Sequence, residues 1–283
     1  MPPRSLLALL AVQLLFGLHP VVSKLAFPAF GPGGVSAWRA VAAALVFQAA
    51  SQVSRAPAIP WSLQPRIFLA SMLGVVSNQL LFIYGLERTT AIHATLIIVT
   101  IPVATLSIAI AAGRERASRN RVLGIGVAFL GAALVVSDRG SVAGGDIVGD
   151  LMIVANAVAY GAYLVMSRDL LTQVSPLSLA AWLFTWGAPA VLLVTGLPPV
   201  AVEEPRAWAA LGFVVLGPTI GTYFLNLFAL RDVPASIVAV FVCLQPLVAG
   251  LFAYLWLDES LGPFTPVAGL LTMAGVILAT RRA

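Results

Sequence analysis

Hydrophobic residues run along this chain in long blocks, separated by short joints that are polar or rich in proline and glycine. A helix needs about 20 consecutive apolar residues to cross a bilayer. Blocks of this kind lie at residues 5–25, 33–53, 66–86, 91–112, 120–137, 149–170, 176–196, 208–230, 235–256 and 264–280. Pro57, Gly144 and Pro198 fall in the joints, where a helix need not continue. The pattern predicts an all-α integral membrane protein with ten transmembrane helices.

The second half of the chain repeats the first at an ungapped offset of 144 residues. Residues 16–24 correspond in this way to residues 160–168. Less common residue types coincide as well: Pro32 with Pro176, Trp38 with Trp182, Pro102 with Pro246 and Glu115 with Glu259. Because five helices are an odd number, the second copy enters the membrane from the opposite side, which is a recurring transporter design. The repeat predicts two inverted domains, residues 1–140 and residues 141–283.

The composition agrees with a lipid environment. The chain is 60% hydrophobic and 10% charged, with a mean hydropathy of +1.00, whereas soluble domains carry about 25% charged residues. The net charge of +5 and the pI near 10.0 could indicate a nucleic-acid partner. We exclude that partner because the basic residues lie in short loops between apolar blocks. The single cysteine, Cys243, excludes an internal disulfide.

The basic residues are distributed unequally between the two sides of the membrane. Eleven fall on the side that holds both termini: Arg4, Arg55, Arg66, Arg114, Arg116, Arg119, Arg121, Arg168, Arg231, Arg281 and Arg282. Four fall on the other side: Lys24, Arg88, Arg139 and Arg206. Cytoplasmic loops carry the excess of lysine and arginine in membrane proteins. Both termini are therefore predicted to be cytoplasmic.

Polar side chains recur along single faces of the predicted helices, where they are costly and tend to face a cavity or a partner. One stripe has the i, i+4, i+7, i+11 spacing of a helix face: Asn156, Tyr160, Tyr163 and Ser167. We interpret such faces as walls of one central, amphipathic cavity. Its predicted binding residues are His19, Asn78, Tyr84, Asn156, Tyr160, Tyr163, Trp186, Tyr223, Asn226 and Gln245. The alternative is interhelical hydrogen bonding alone, at under ~2 kcal/mol for each group.

Five further residues within or beside the blocks carry separate expectations. His19 could exchange a proton or bind a solute, or it could be a neutral histidine hydrogen-bonded to a neighbouring helix. Lys24 and Arg39 could line an outer vestibule or could snorkel to the headgroups. Pro102 and Pro246 lie within helices at equivalent positions of the repeat, so both helices could kink and bend there during gating.

Enzyme signatures are absent from the sequence. It contains neither a metal-spaced His/Cys cluster nor the Gly-x-Ser-x-Gly or Gly-x-x-x-x-Gly-Lys-Ser/Thr motifs. The loops are too short for a nucleotide-binding domain, and no cofactor or metal is expected. The blocks also lack a dense cationic cluster for phosphate. A neutral, zwitterionic or singly charged organic molecule is the expected ligand, and the sequence leaves monomer and homodimer both open.

Motifs along nearly the whole chain are similar to those of a known family. They are Gly17 and Lys24, Trp38-Arg39, Tyr84-Gly85-Leu86, Pro102, Gly161, Pro246, Leu257-x-Glu259, Gly269 and Gly275. In this order they resemble the drug/metabolite transporter superfamily, in particular its EamA-type members with two five-helix repeats. Two positions depart from the family pattern: His19 replaces a frequent asparagine, and Arg114 precedes Glu115 where an apolar residue is usual.

The resemblance implies a secondary transporter in the bacterial inner membrane that exports amino acids or related metabolites. Its substrate cavity would lie between the repeats and work by alternating access. An aromatic or neutral amino acid fits the predicted walls. A multidrug or nucleoside exporter is the alternative within the same class. A non-transporting assembly factor or sensor is the alternative in another class, and it predicts no continuous polar cavity.

Overall fold

A computed structural model describes residues 2–114, 116, 119–137, 146–258 and 265–280. In these ranges the chain forms helices and no strands. We number the helices α1 Pro3–Val53, α2 Trp61–Arg88, α3 Ala91–Ala111, α4 Arg119–Ser137, α5 Ile147–Leu170, α6 Pro176–Thr195, α7 Pro205–Asp232, α8 Ala235–Leu257 and α9 Thr265–Thr280. The boundary predicted between residues 140 and 141 lies outside the described residues.

Seven helices in the described part of the chain, α1 to α3 and α5 to α8, are long and apolar enough to cross a membrane. Large apolar side chains on their outer faces are exposed, among them Leu7, Leu193 and Leu247. Apolar surface of this extent is rare on soluble monomers and typical of lipid-facing helices. The shorter α9 packs along α4. The prediction of an all-helical integral membrane protein is confirmed.

Helix α1 contains the first two predicted spans in a single element of 51 residues. A straight helix of that length would measure roughly 76 Å, against a hydrocarbon core of about 30 Å. The helix is interrupted at Gly31, where φ is 63° and ψ is 166°, a conformation that glycine adopts without a steric penalty. The loop expected between these spans is therefore reduced to this one residue. The count of ten spans stays a prediction.

Helices α2 and α7 each contain a π-helical turn, at Met72–Ser77 and at Leu216–Gly221. The two turns lie at equivalent positions of the repeat. Such turns are rare and frequently lie at functional sites. Other helices fill the first turn: the Tyr163 ring packs against Gly74, and the Tyr223 hydroxyl donates a hydrogen bond to the Gly74 carbonyl.

Helices α3 and α8 are both interrupted just before the prolines predicted to kink them. In α3 the regular helix ends at Ile98 and resumes at Ile101, one residue before Pro102. In α8 a 3-10 turn, Phe241–Leu244, precedes Pro246. A proline ring removes one backbone donor and clashes with the preceding turn of an α-helix, which accounts for both breaks.

An ion pair connects the end of α2 to the start of α5. The Arg88 guanidinium lies 2.8 Å from the Asp146 carboxylate, and the same carboxylate caps α5 by accepting a hydrogen bond of 2.7 Å from the Gly149 N–H. The bond from Arg88, followed by that from Gly149, lowers the pKa of the Asp146 carboxyl below its usual value. The link thus joins the first and second halves of the chain at one membrane face.

We expect Gly74→Ala to destabilise the protein, because an added Cβ would lie 2.1 Å from Cδ2 of Tyr163. Overpacking of this kind costs about 1–3 kcal/mol. The measurement is the Tm of the purified protein in detergent. Gly250→Ala is the control, since no atom lies within 4 Å of its added Cβ. Equal Tm values for the two variants would contradict the packing described for the π turn.

Candidate functional site

A buried cavity of about 40 Å³ lies between helices of the two halves of the chain. Helices α1, α2 and α3 supply its walls from the first half, and α5 and α8 supply them from the second. The lining residues are Phe16, His19, Arg39, Asn78, Phe82, Ile98, Ile101, Asn156, Tyr160 and Gln245. Five of the residues predicted to bind substrate are thus brought together: His19, Asn78, Asn156, Tyr160 and Gln245.

The size of the cavity shows which ligands fit the described conformation. One water needs about 10–15 Å³ of such space, so about 40 Å³ holds a few waters. Pockets for drug-sized ligands measure about 300–1,000 Å³. A solute as large as an amino acid therefore requires the helices around the cavity to separate.

Arg39 lies deeper than the vestibule or the snorkelling position predicted for it. Its side chain is 1% exposed and lines the cavity. Its Nε donates a hydrogen bond of 2.8 Å to Oγ1 of Thr219 in the π turn of α7, while its Nη1 is buried without a partner. The Thr219 hydroxyl in turn donates to the Val214 carbonyl at 2.8 Å. Hydrogen bonds across the repeats thus hold the guanidinium in place.

His19 lines the same cavity and belongs to α1, as Arg39 does. Its ring stacks on Phe82 with centroids 4.9 Å apart and an angle of 17° between the planes. The side chain is 4% exposed, and Nε2 is buried without a hydrogen-bond partner. The structure therefore places an imidazole nitrogen available for bonding beside the cavity. Lys24, farther along α1, is half-buried and is not among the lining residues.

Two of the amide side chains that line the cavity, those of Asn156 and Gln245, donate hydrogen bonds within the protein through their NH₂ groups. Asn156 Nδ2 donates to the Asn78 backbone carbonyl at 2.8 Å, and Gln245 Nε2 donates to Gln13 Oε1 at 2.7 Å. Within the described part of the chain, no residue donates a hydrogen bond to Asn156 Oδ1 or Gln245 Oε1. Asn156 and Gln245 consequently offer acceptors at the cavity, whereas Asn78 Oδ1 already accepts a hydrogen bond of 3.2 Å from the Tyr223 hydroxyl.

The other predicted binding residues lie behind the cavity wall, in contacts between helices. Asn226 Nδ2 donates to the Tyr160 hydroxyl at 2.7 Å and so orients a lining residue. Tyr163 and Tyr223 pack in the first π turn. Trp186 donates to Gln64 Oε1 at 2.9 Å, and half-buried Tyr84 lies beside Gly33. For these five residues the geometry matches the alternative of interhelical packing and hydrogen bonding.

Four apolar lining residues are not among the predicted binding residues: Phe16, Phe82, Ile98 and Ile101. The repeat nevertheless places Phe16 and Phe82 on faces equivalent to the polar stripes. Polar residues stand out within an apolar helix, whereas one more phenylalanine or isoleucine does not. The repeat contained a signal, because Phe16 is equivalent to Tyr160 and Ile101 is equivalent to Gln245. At both pairs of positions the first half contributes an apolar wall and the second half contributes a polar one.

The arrangement is suited to binding and offers little for covalent chemistry. It combines one guanidinium, one imidazole, amide oxygens and a phenol with an apolar wall. Among the residues that the structure describes, no three His, Cys, Asp or Glu side chains are grouped as metal ligands.

The sequence profile of the EamA-like transporter family matches residues 3–137 and again residues 147–281. The two matches cover nearly the whole chain, and they begin at equivalent positions of the repeat. The chain belongs to the EamA-like transporter family. Its multiple apolar helices are therefore those of a multi-pass membrane transporter, as the sequence motifs predicted.

Curated relatives of this transporter are also transporters by name. An uncharacterized transporter of Archaeoglobus fulgidus is 27% identical over 75% of this chain and 75% of its own. The uncharacterized transporter YyaM of Bacillus subtilis is 25% identical over 88% and 86% of the two chains. A probable terminal-alkyne amino-acid exporter of Streptantibioticus cattleyicolor is 29% identical over 77% and 73%.

A solved crystal structure of another protein shares the fold of this transporter. It superposes with a TM-score of 0.70 at 20% sequence identity, over 99% of this chain and 97% of that one. At this level of identity the likeness concerns the arrangement of helices alone. The fold is therefore one that a distinct sequence also adopts over its full length.

Proposed function

We propose that this transporter exports a small amphipathic metabolite, most specifically an aromatic or neutral amino acid, by alternating access. The observation that carries the proposal is the cavity that both halves build, with charged and polar groups on some walls and phenyl and alkyl groups on others. Binding sites of secondary transporters typically lie between two repeats in this way. The name of the Streptantibioticus relative supports an amino acid as the class of substrate.

The proposed architecture has ten spans in two inverted repeats, residues 1–140 and residues 141–283. Helix α1 would contribute two spans that are joined at Gly31, and α4 and α9 would be the fifth and the tenth. Both termini would be cytoplasmic in the inner membrane of a bacterium, as the excess of arginine on that side favours. An enzymatic reporter fused to Ala283 tests this orientation.

The cavity residues disfavour both an enzyme and a protein that only holds partners together. The lining residues include no serine, cysteine or carboxylate that could attack or deprotonate a substrate. An assembly factor or sensor would need no shared polar cavity, yet Arg39 and Asn156 come from different halves of the chain and line the same one. A solute-binding site explains their proximity directly.

We expect purified protein in liposomes preloaded with unlabelled L-phenylalanine or L-leucine to accumulate the labelled amino acid by counterflow. Tyr160→Ala should reduce the rate severalfold, because it removes a lining phenol. Leu193→Ala, on the lipid-facing surface, is the matched control. Counterflow of nucleosides or lipophilic amines, but of no amino acid, would instead favour the multidrug or nucleoside alternative and refute the proposed substrate class.

We also propose that His19 couples transport to protons, since histidine is the side chain whose ordinary pKa lies nearest neutrality. The other titratable or charged groups lining the cavity are Arg39 and Tyr160. His19→Gln should retain transport driven by the amino-acid gradient and lose its stimulation by a pH gradient. His93→Gln is the control, because His93 is buried elsewhere, in α3. An unchanged pH dependence in His19→Gln would rule out the coupling.

The interruptions before Pro102 and Pro246 would serve as hinges when the helices around the cavity separate. Replacing either proline by alanine should favour a continuous helix and slow counterflow severalfold, while substrate binding in detergent changes little. Pro266→Ala is the control, because Pro266 is exposed in the first turn of α9. Wild-type counterflow rates in both variants would show that the breaks are only structural.

A further inference from the structure

Arg39 is an arginine buried within a membrane helix, with no anionic partner in the described part of the chain. The ion pairs there join Arg66 and Arg114 to Asp169, and Arg88 to Asp146. The cavity has no carboxylate among its lining residues. An isolated buried charge is expensive unless it is paired, and arginine does not give up its proton in proteins. The structure thus maintains a positive charge at the cavity without its counterion.

We propose that a carboxylate of the transported solute is this counterion, and that Arg39 selects substrates by requiring it. The available group is Nη1, which is buried and has no partner among the residues that the structure describes. Guanidinium and carboxylate form short, charge-assisted hydrogen bonds that are about twice as strong as neutral ones. The inference rests on the proposed function, because it names the chemical group by which the same cavity recognises its substrate.

The guanidinium is held ready for such a bond. Arg39 belongs to the first half of the chain, and its Nε–H is fixed at 2.8 Å by Thr219 of the second half. Thr219 is itself fixed, because its hydroxyl donates to the Val214 carbonyl in α7. A donor fixed before binding loses less conformational freedom when the ligand arrives. The π turn of α7 thus carries the threonine that fixes the guanidinium of Arg39.

The repeat has no second cation to match this one. The position equivalent to Arg39 is Leu183, which is fully buried. A pseudosymmetric cavity with two equal ends would bind an asymmetric solute in either of two opposite orientations. One cation gives the cavity a polarity, so a carboxylate binds at Arg39 and the remainder of the solute extends away from it.

The remaining walls complement the other parts of an amino acid. Asn156 Oδ1 and Gln245 Oε1 accept no hydrogen bond from the described part of the chain, so they suit an ammonium group as donor. Phe16, Phe82 and Ile98 supply an apolar surface for the side chain. A cationic amine without a carboxylate would meet the charge of Arg39 with nothing to neutralise it, so the cavity should reject it.

The test measures binding of four related probes to the purified wild-type protein by thermal shift. They are L-phenylalanine, L-phenylalaninamide, phenethylamine and 3-phenylpropionate, with the corresponding L-leucine series in parallel. We expect the two carboxylates in a series to raise Tm, and the amide and amine to bind at least about 10-fold more weakly, since a hydrogen bond to a charged group contributes roughly 1.5–3 kcal/mol. Equal binding of the amide or amine, or binding of no carboxylate in either series, would overturn the inference.

Variants then assign the selectivity to Arg39. Arg39→Gln should abolish the preference for the carboxylate over the amide, whereas Arg39→Lys should keep part of it. Thr219→Val should weaken carboxylate binding severalfold because it frees the guanidinium, and Thr219→Ser should not. Arg206→Gln, at an exposed position of α7, is the control for removing a positive charge. A full carboxylate preference in Arg39→Gln would refute the role of this residue.

The two proposals can fail separately. Carboxylate-selective binding without counterflow in liposomes would refute export and leave the role of Arg39 intact. Counterflow of amino acids with equal binding of their amides would refute the role of Arg39 and leave the proposed export intact. If Arg39→Gln does not fold, the wild-type probe series and the Arg39→Lys variant still decide the question.

Discussion

In a bilayer every backbone N–H and C=O has to find its partner inside the protein, and this constraint explains where the chain departs from regular helix. Lipid offers no hydrogen bonds in exchange for a broken one. At the first π turn the Gly74 carbonyl accepts a hydrogen bond from Tyr223 of the other half. At the second, Thr219 donates to the Val214 carbonyl and accepts from Arg39. A side chain from another helix completes the backbone hydrogen bonding at the first turn, and a side chain of the same helix does so at the second.

These satisfied irregularities also surround the cavity. The π turns of α2 and α7 and the proline breaks of α3 and α8 occur at equivalent positions of the two halves. Breaks within otherwise stable helices are the places where a bundle bends at least cost. A cavity of about 40 Å³, with four such breaks in the helices of the bundle, is consistent with walls that separate to admit a solute. The hinge role itself rests on the proline variants.

The π turns and the proline breaks recur at equivalent positions of the repeat, whereas the side chains at the cavity differ. Phe16 and Tyr160 are equivalent, and so are Ile101 and Gln245, yet each pair sets an apolar group against a polar one. Arg39 has only Leu183 as its equivalent. In the proposed transport cycle, unequal side chains would give the site a preferred orientation for an asymmetric ligand.

The sequence by itself determined the class of the protein, because 20-residue apolar blocks and their offset of 144 depend only on local composition and order. It also located the proline breaks and five cavity residues, among them Asn156 and Tyr160, because a polar group inside an apolar helix is conspicuous. Only the tertiary structure decided that Arg39 lines the cavity and that Tyr223 supports a π turn instead. Whether a side chain faces a cavity or a neighbouring helix depends on how the helices pack. The sequence of a single helix does not specify which helices lie beside it.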